Sequence, residues 1–346
     1  MNNNHLTRWI SGPKIVALLL LLISVQSAFS QGCVIARGGA CPLGIHGSEG
    51  LLHEGDWQGT VAYRWLRSDR HFVGRNEQKH RKFDGTEVIN DTHFIDLTAT
   101  YAATDQLWVS LTIPFVHSDR SSLYEHGRIQ RGHTQAGGLA DVRLVGSYWI
   151  FNPTEAKKGN ISFGLGVKAP TGDYKATDTF GTSSNTTVIR YVDSSIQPGD
   201  GGWGIILETQ GYLHIAGNLS GYMNASYLIN PRERIEETRF SVPDSYLARI
   251  GFDYLILPKY GISFTLGGRI EGVPPEDLIG GSLGTRRPGY AISIEPGFTY
   301  THKRFFATLT TPVAVERNRQ RTYNAATTGD AAFADFTVNG SISYRF

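Results

Sequence analysis

The chain has 346 residues, of which 40% are hydrophobic and 18% charged, with a formal net charge of +2, 40 glycines and only two cysteines. That length suits one large domain or two ordinary ones. The charge content is low for a soluble protein, and a net charge of +2 gives no argument for a nucleic-acid partner.

Residues 1–30 read as a signal peptide. Arg8 and Lys14 form a basic start, and Ile15 to Ile23 is an apolar core. Ala28-Phe29-Ser30 puts small residues where signal peptidase reads, so cleavage is expected after Ser30. The apolar run is shorter than the roughly 20 residues a spanning helix needs, and no other stretch approaches that length. This does not exclude a membrane protein, because a barrel strand carries only alternate apolar residues.

Residues 31–55 lack strand alternation and are expected to plug a lumen or lie in the periplasm. Cys33 and Cys41 fall here. Export delivers them to an oxidising compartment, which favours a disulfide closing a small loop. A lipid anchor on Cys33 is the alternative, although Ser30-Gln31-Gly32 lacks the leucine expected before it. Their spacing excludes a Cys-x-x-Cys site.

From residue 56 to 346 the pattern has a period of two. Twelve stretches alternate: 57–67, 92–102, 107–117, 139–150, 161–169, 203–213, 219–229, 245–256, 262–271, 290–300, 305–315 and 334–346. In the last, Ala334, Phe336, Val338, Ile342, Tyr344 and Phe346 share one face, and Asp335, Thr337, Asn339, Ser343 and Arg345 share the other. A strand sends successive side chains to opposite faces, so each stretch has one greasy and one wet side. Most match the roughly 9–11 residues of a tilted membrane strand. Short connections (103–106, 152–159, 214–218, 257–261, 301–303) alternate with long ones (68–90, 118–138, 170–202, 230–244, 272–289, 316–331), as in outer-membrane barrels. The expected fold is therefore all-β, a transmembrane antiparallel up-and-down barrel of about twelve strands. If the N-terminus stays periplasmic, the long loops are extracellular. A soluble secreted β protein is the alternative, with its apolar face turned inward.

The ending Ile342, Tyr344, Phe346 resembles the signal read by the outer-membrane barrel assembly machinery, which it implies as a partner during insertion. Gly137-Gly138-Leu139-Ala140-Asp141-Val142, followed by Phe163 to Ala169 and Pro170-Thr171-Gly172-Asp173-Tyr174, resembles the core motif of an outer-membrane transporter family linked to the meta-pathway of phenol degradation. Ala140 stands where that motif carries glycine. The resemblance implies a barrel, and passage of small hydrophobic or aromatic solutes. The same residues also have a structural reading: Pro170 cannot donate to a ladder and stops a strand, and Gly164 and Gly166 remove bulk from the inner face.

The inward face is expected to carry Arg64, Asp96, Asp141, Arg143, Lys168, Glu208, Arg249, Asp253, Arg269, Glu271, Glu295, Asp335 and Arg345. Asp96, Asp141, Arg143, Lys168, Arg249 and Glu295 are the candidate lumen lining. They could tune a pore or fill the lumen as a salt-bridge network, with Asp141–Arg143, Arg249–Asp253 and Arg269–Glu271 close enough in sequence to pair. The basic residues Arg67, Arg70, Arg75, Lys79, Arg81, Lys82, Arg128, Arg131, Arg286, Arg287, Arg317, Arg319 and Arg321 of the long loops could hold lipopolysaccharide phosphates or draw in anions. A barrel enzyme would need Ser and His together on the lipid face. His93 is the one histidine expected there, without a recognisable serine motif beside it, so no catalytic, metal or cofactor site is expected. The sequence thus points to passive passage of small solutes, with a closed structural or adhesive barrel working through its loops as the alternative.

Overall fold

A computed structural model of the chain describes residues 31–32, 51–322 and 329–346. The expected signal peptide, Cys33 and Cys41 with their disulfide or lipid, and most of the 31–55 segment lie outside the described residues.

Twelve strands run up and down and close on themselves. They are β1 Trp57–Val73, β2 Ile89–Ala102, β3 Leu107–Ser122, β4 in two pieces (Gly132–Leu139 and Arg143–Trp149), β5 Gly159–Lys168, and β6 Gly204–Ala216. The second half holds β7 Leu219–Ile229, β8 Ser245–Leu257, β9 Ile262–Val273, β10 Gly289–His302, β11 in two pieces (Phe305–Thr310 and Val313–Arg319), and β12 Ala331–Arg345. Each strand pairs antiparallel with the next, and β12 pairs with β1 from Arg345↔Gln58 up to Ala331↔Phe72. Closure leaves no open edge, and in hydrocarbon every unpaired backbone group would cost several kcal/mol.

The alternation sorts the faces. Val61, Leu97, Leu165, Ile250, Phe252, Ile294 and Ile342 project outward and stay exposed, Ile250 at 68%. A continuous exposed apolar band of this extent suits lipid and is foreign to a soluble protein. Polar partners at the intervening positions are buried inward, including Arg249, Asp253, Arg269, Glu271 and Glu295. No described helix is long and apolar enough to cross a membrane.

Strands at the long-loop end overrun the sequence expectation. β1 has 17 residues and β3 has 16. Polar residues such as Asp69, Arg70 and Ser118 leave the lipid zone without ending the ladder, because both neighbours continue to offer backbone partners. The expected 139–150 strand is broken after Leu139, and the motif residues Ala140–Val142 form the break. Pro114, on β3 opposite, has no N–H to give, and its carbonyl accepts from Ala140 N at 2.8 Å. β11 breaks in the same way at Thr311-Pro312. Thr311 N donates to Pro296 O at 2.9 Å, and Pro312 O accepts from Thr337 N at 3.1 Å. Above the Val313↔Phe336 pair no ladder joins the upper piece of β11 to β12; instead Arg317 Nε donates to Ala334 O at 3.1 Å.

At the short-turn end the connections are tight. Gly261, with φ of 66°, closes the β8–β9 turn, where a Cβ would sit 1.9 Å from Thr301 O, so only glycine fits. The long loops carry a short helix, His80–Phe83, and a hairpin of Thr177–Gly181 with Thr187–Tyr191. The backbone of Gln31–Gly32 pairs in parallel with Ala331–Ala332.

Candidate functional site: the lumen

The lumen divides into three levels. At the short-turn end, Leu51 and Leu52 are buried against Trp108, Trp149 and Ala102, with Tyr212 beside them. The rings of Trp108 and Trp149 meet edge-on at 5.4 Å, and Trp149 and Tyr212 at 5.9 Å. Arg345 donates to Leu51 O and Phe346 N donates to Trp57 O, so the end of β12 is tied to the leucine pair and to the start of β1. Each leucine withdrawn from water contributes about 1.5–3 kcal/mol. Sequence reasoning offered a lumen plug or a periplasmic position for residues 31–55 but singled out neither the leucines nor the two tryptophans. The signal was available, since Trp108 and Trp149 fall on the polar side of their strands and break the alternation.

The middle level is a charge network. Arg143 Nη2 lies 3.1 Å from Asp96 Oδ2, and Arg249 Nη1 lies 3.5 Å from Glu295 Oε1. Each pair reaches over an intervening strand, β3 in one case and β9 in the other. Arg269 meets Glu271 at 2.9 Å on one strand, as the spacing suggested. Arg64 lies over the Phe94 ring at 4.3 Å. Asp253 accepts from Thr299 Oγ1 at 3.1 Å. Glu295 is 1% exposed and Glu271 3%, so this level is densely packed. A cavity of about 70 Å³ remains among Arg64, Phe94, Asp96, Arg249, Arg269 and Asn339. Tyr222 leans over Gly251 and Gly267. A Cβ at either position would come within 2.6 Å of its hydroxyl, so the two glycines make the floor on which the ring rests.

The upper level begins at the motif. Asp141 does not pair with its sequence neighbour Arg143. Its two carboxylate oxygens accept from Gly172 N at 3.0 Å and Asp200 N at 3.1 Å, with Lys168 Nζ at 3.6 Å. Lys168 also binds both oxygens of Asp200. Thr171 Oγ1 accepts from Val142 N at 2.9 Å and donates to Ala140 O at 2.8 Å. The motif is therefore a knot that repairs the β4 break with side chains and pins the 170–202 loop over the lumen. Of the six candidate residues, Lys168, Arg249 and Glu295 are buried, and Asp96, Asp141 and Arg143 are partly buried. The lumen joins Asp96 to Arg143, Arg249 to Glu295, and Asp141 to Lys168.

Above the knot sits a vestibule of loops. Arg120 is fully buried and binds Glu125 at 2.8 Å, with Asp193 at 3.6 Å. Arg287 holds Asp193 through both oxygens at 3.2 Å. Arg286 is clamped to Asp277 at 2.6 Å. His71 accepts from Val88 N at 2.8 Å through Nε2, which leaves the proton on Nδ1 facing Asp330 at 3.1 Å, and Arg81 meets Asp330 at 2.6 Å. Many basic loop residues are thus spent on carboxylates, whereas Arg67, Lys79, Lys82 and Arg128 stay exposed. On the outer face His93 bonds the Tyr63 hydroxyl at 2.8 Å and Asp91 at 3.1 Å. The hydroxyl there is a phenol, a weak nucleophile beside a serine activated by a base. No metal-ligating cluster occurs among the described residues.

A closed barrel with lipid-compatible outside and charged inside is an outer-membrane β-barrel. No protein-family model and no curated protein matches the chain. Among solved structures, an outer-membrane channel from Pseudomonas putida F1 matches with a TM-score of 0.56 at 14% identity, over 85% of this chain and 97% of that one. The β domain of the Bordetella autotransporter BrkA matches at 0.45 and 10% identity, over 85% and 100%. The toluene transporter TodX of Pseudomonas putida matches at 0.40 and 10% identity, over 91% and 98%. At 14% identity the likeness to the Pseudomonas putida F1 channel is one of fold.

Proposed function

We propose that the protein is a passive channel for small solutes, closed at its short-turn end by Leu51 and Leu52. The observation that carries this reading is the burial of Leu51 and Leu52 against Trp108 and Trp149. The segment leading into β1 is seated inside the mouth on a cluster of aromatic side chains, so closure comes from a removable stretch of chain rather than from the wall. The likeness in fold to a known outer-membrane channel agrees with it. In this reading the short-turn end lies in the periplasm, the long loops face outward, and the exposed loop cations meet lipopolysaccharide phosphates. The resemblance of the 137–174 motif extends the reading to hydrophobic or aromatic solutes, although the motif residues themselves act as a structural knot.

A second reading is a closed barrel that works through its loops. The near-complete burial of Arg269, Glu271 and Glu295 favours it. Single-channel recording of the refolded protein in a planar bilayer separates the two. Discrete steps that become more frequent when residues 31–55 are removed support the stoppered channel. Silence from both proteins, with insertion confirmed by heat-dependent gel mobility, supports the closed barrel.

A further inference from the structure

The hairpin of Thr177–Gly181 and Thr187–Tyr191 stands apart from the barrel wall as a sheet of two strands. Its first strand is anchored. Phe180 is 4% exposed and stacks on His126 at 5.4 Å, and Asp178 Oδ2 accepts from Gln135 N at 2.7 Å on the upper piece of β4. Its second strand is open. Thr187, Val188, Ile189, Arg190 and Tyr191 are all exposed, Ile189 at 75%. No other strand among the described residues pairs with the far side of this one. The ends of the ladder fix which groups point that way. Thr182 N donates to Thr186 O at 2.8 Å, and Val192 N donates to Ala176 O at 3.0 Å. In an antiparallel ladder, hydrogen-bonded and non-bonded pairs alternate. Val188 and Arg190 therefore bond inward, to Phe180 and Asp178, their partners in the register. Thr187, Ile189 and Tyr191 aim their N–H and C=O groups outward, so three donors and three acceptors line the free edge.

Natural proteins guard such an edge with lysine, proline or a bulge. This strand has no lysine and no proline, and its register is unbroken. Its one charge, Arg190, folds back over the Phe180 ring at 4.5 Å and donates to Glu125 O at 2.8 Å. Threonine, valine, isoleucine and tyrosine favour extended backbone. The edge is also its own complement. Under a two-fold axis through Ile189, that residue faces its own copy and Thr187 faces the position of Tyr191. The outward donors of each strand then meet the outward acceptors of the other, and none is left over. Val188 stands opposite the position of Arg190, so no like charges meet.

We propose that Thr187–Tyr191 is an interface with a second copy of this chain, the two edge strands pairing antiparallel about Ile189 into one four-stranded sheet. A two-stranded sheet is marginal by itself, and three or more strands give it independent stability. Confinement of both copies to one membrane raises the effective concentration of each edge for the other. The pairing goes beyond the channel reading and does not depend on it.

The test is cysteine cross-linking of the full-length protein in outer membranes. Facing residues of a hydrogen-bonded pair place their Cα atoms about 5.5 Å apart, within reach of a disulfide. Ile189→Cys should therefore give a covalent dimer on mild oxidation. Thr179 lies opposite Ile189 on the same face of the hairpin and is also exposed. It would sit about 14 Å from its copy across the four-stranded sheet, so Thr179→Cys should give no dimer. Nor should the unaltered chain, which controls for Cys33 and Cys41. Ile189→Pro deletes the central outward N–H and leaves the hairpin's own hydrogen bonds in place. It should turn the dimer measured by light scattering in detergent into a monomer, with heat-dependent gel mobility retained. A monomeric unaltered chain, equal cross-linking from Thr179→Cys and Ile189→Cys, or a dimer that survives Ile189→Pro overturns the proposal. Cross-linking of Ile189→Cys to a different protein without dimer gives the edge to another partner and overturns it too. The two cysteine variants do not depend on the proline one, so a failure of Ile189→Pro to refold leaves the test standing.

Discussion

Asp96 on β2 and Arg143 on β4 meet at 3.1 Å by reaching across β3, which lies between them. The curvature of a closed barrel brings the inward side chains of next-but-one strands together. Replacing Arg143 with Gln leaves Asp96 without this partner inside the lumen. The expected loss is about 1–3 kcal/mol, part of which should return in the Asp96→Asn/Arg143→Gln double variant, because the second change removes the stranded charge. Urea unfolding midpoints of the four proteins in vesicles check this; fully additive losses would mean the pair is not coupled.

The knot at the β4 break makes a sharper prediction. Asp141→Ala removes the acceptor for Gly172 N and Asp200 N together, and takes a counter-ion from Lys168. Leaving buried donors unpaired costs about 1–3 kcal/mol each. The 170–202 loop should become cleavable by added protease while the barrel keeps its heat-dependent gel mobility. Thr171→Val, which loses both bonds of its hydroxyl, should shift in the same direction by a smaller amount.

Acid should loosen the long-loop end. Burial raises Asp330, but the hydrogen bond from His71 and the charge of Arg81 outweigh it and hold the carboxyl below its ordinary range. A lowered carboxyl contributes stability above its unfolded value, about 4, and that contribution fades as pH falls through the lower folded value. Hydrogen exchange of the Val88 and Ala331 amides should therefore speed up in acid. In Asp330→Asn it should already be fast at neutral pH and largely lose the acid-dependent rise in that window.

The stopper can be weakened without truncation. Leu51→Ser/Leu52→Ser removes apolar surface from the aromatic seat, at a cost of about 3–6 kcal/mol to seating when both are counted. Conductance events should become more frequent at unchanged step size, since the wall is untouched. Unchanged event frequency would show that these residues do not limit passage.

Much of the barrel was legible because lipid on one side and a polar lumen on the other force strict alternation. All twelve predicted stretches became wall strands. The ion-pair partners of the candidate lumen residues were not legible. Asp96 with Arg143, and Arg249 with Glu295, pair across a skipped strand, which a reading of residues two or four apart along one strand cannot see. Asp141 misled for a different reason. It was read as part of a continuous strand, but Pro114 opposite interrupts the ladder and turns its carboxylate toward loop amides. Trp108 and Trp149 sit on the polar side of their strands, and the alternation that marks a strand does not say what an inward ring packs against. Arg286 and Arg287 were read as part of a basic rim, because sequence alone does not show which loop cations fold back under cover.

The two proline breaks have a mechanical consequence. A hoop scored at two points on its circumference flexes there and stays rigid between them. The sectors at Pro114 and at Thr311-Pro312 exchange backbone ladder for side-chain bridges, from Thr171 in one case and Arg317 in the other. Changes in the roundness of this ring should therefore concentrate along those two meridians, and the long run from β5 to β10, laddered throughout, should move as one curved plate.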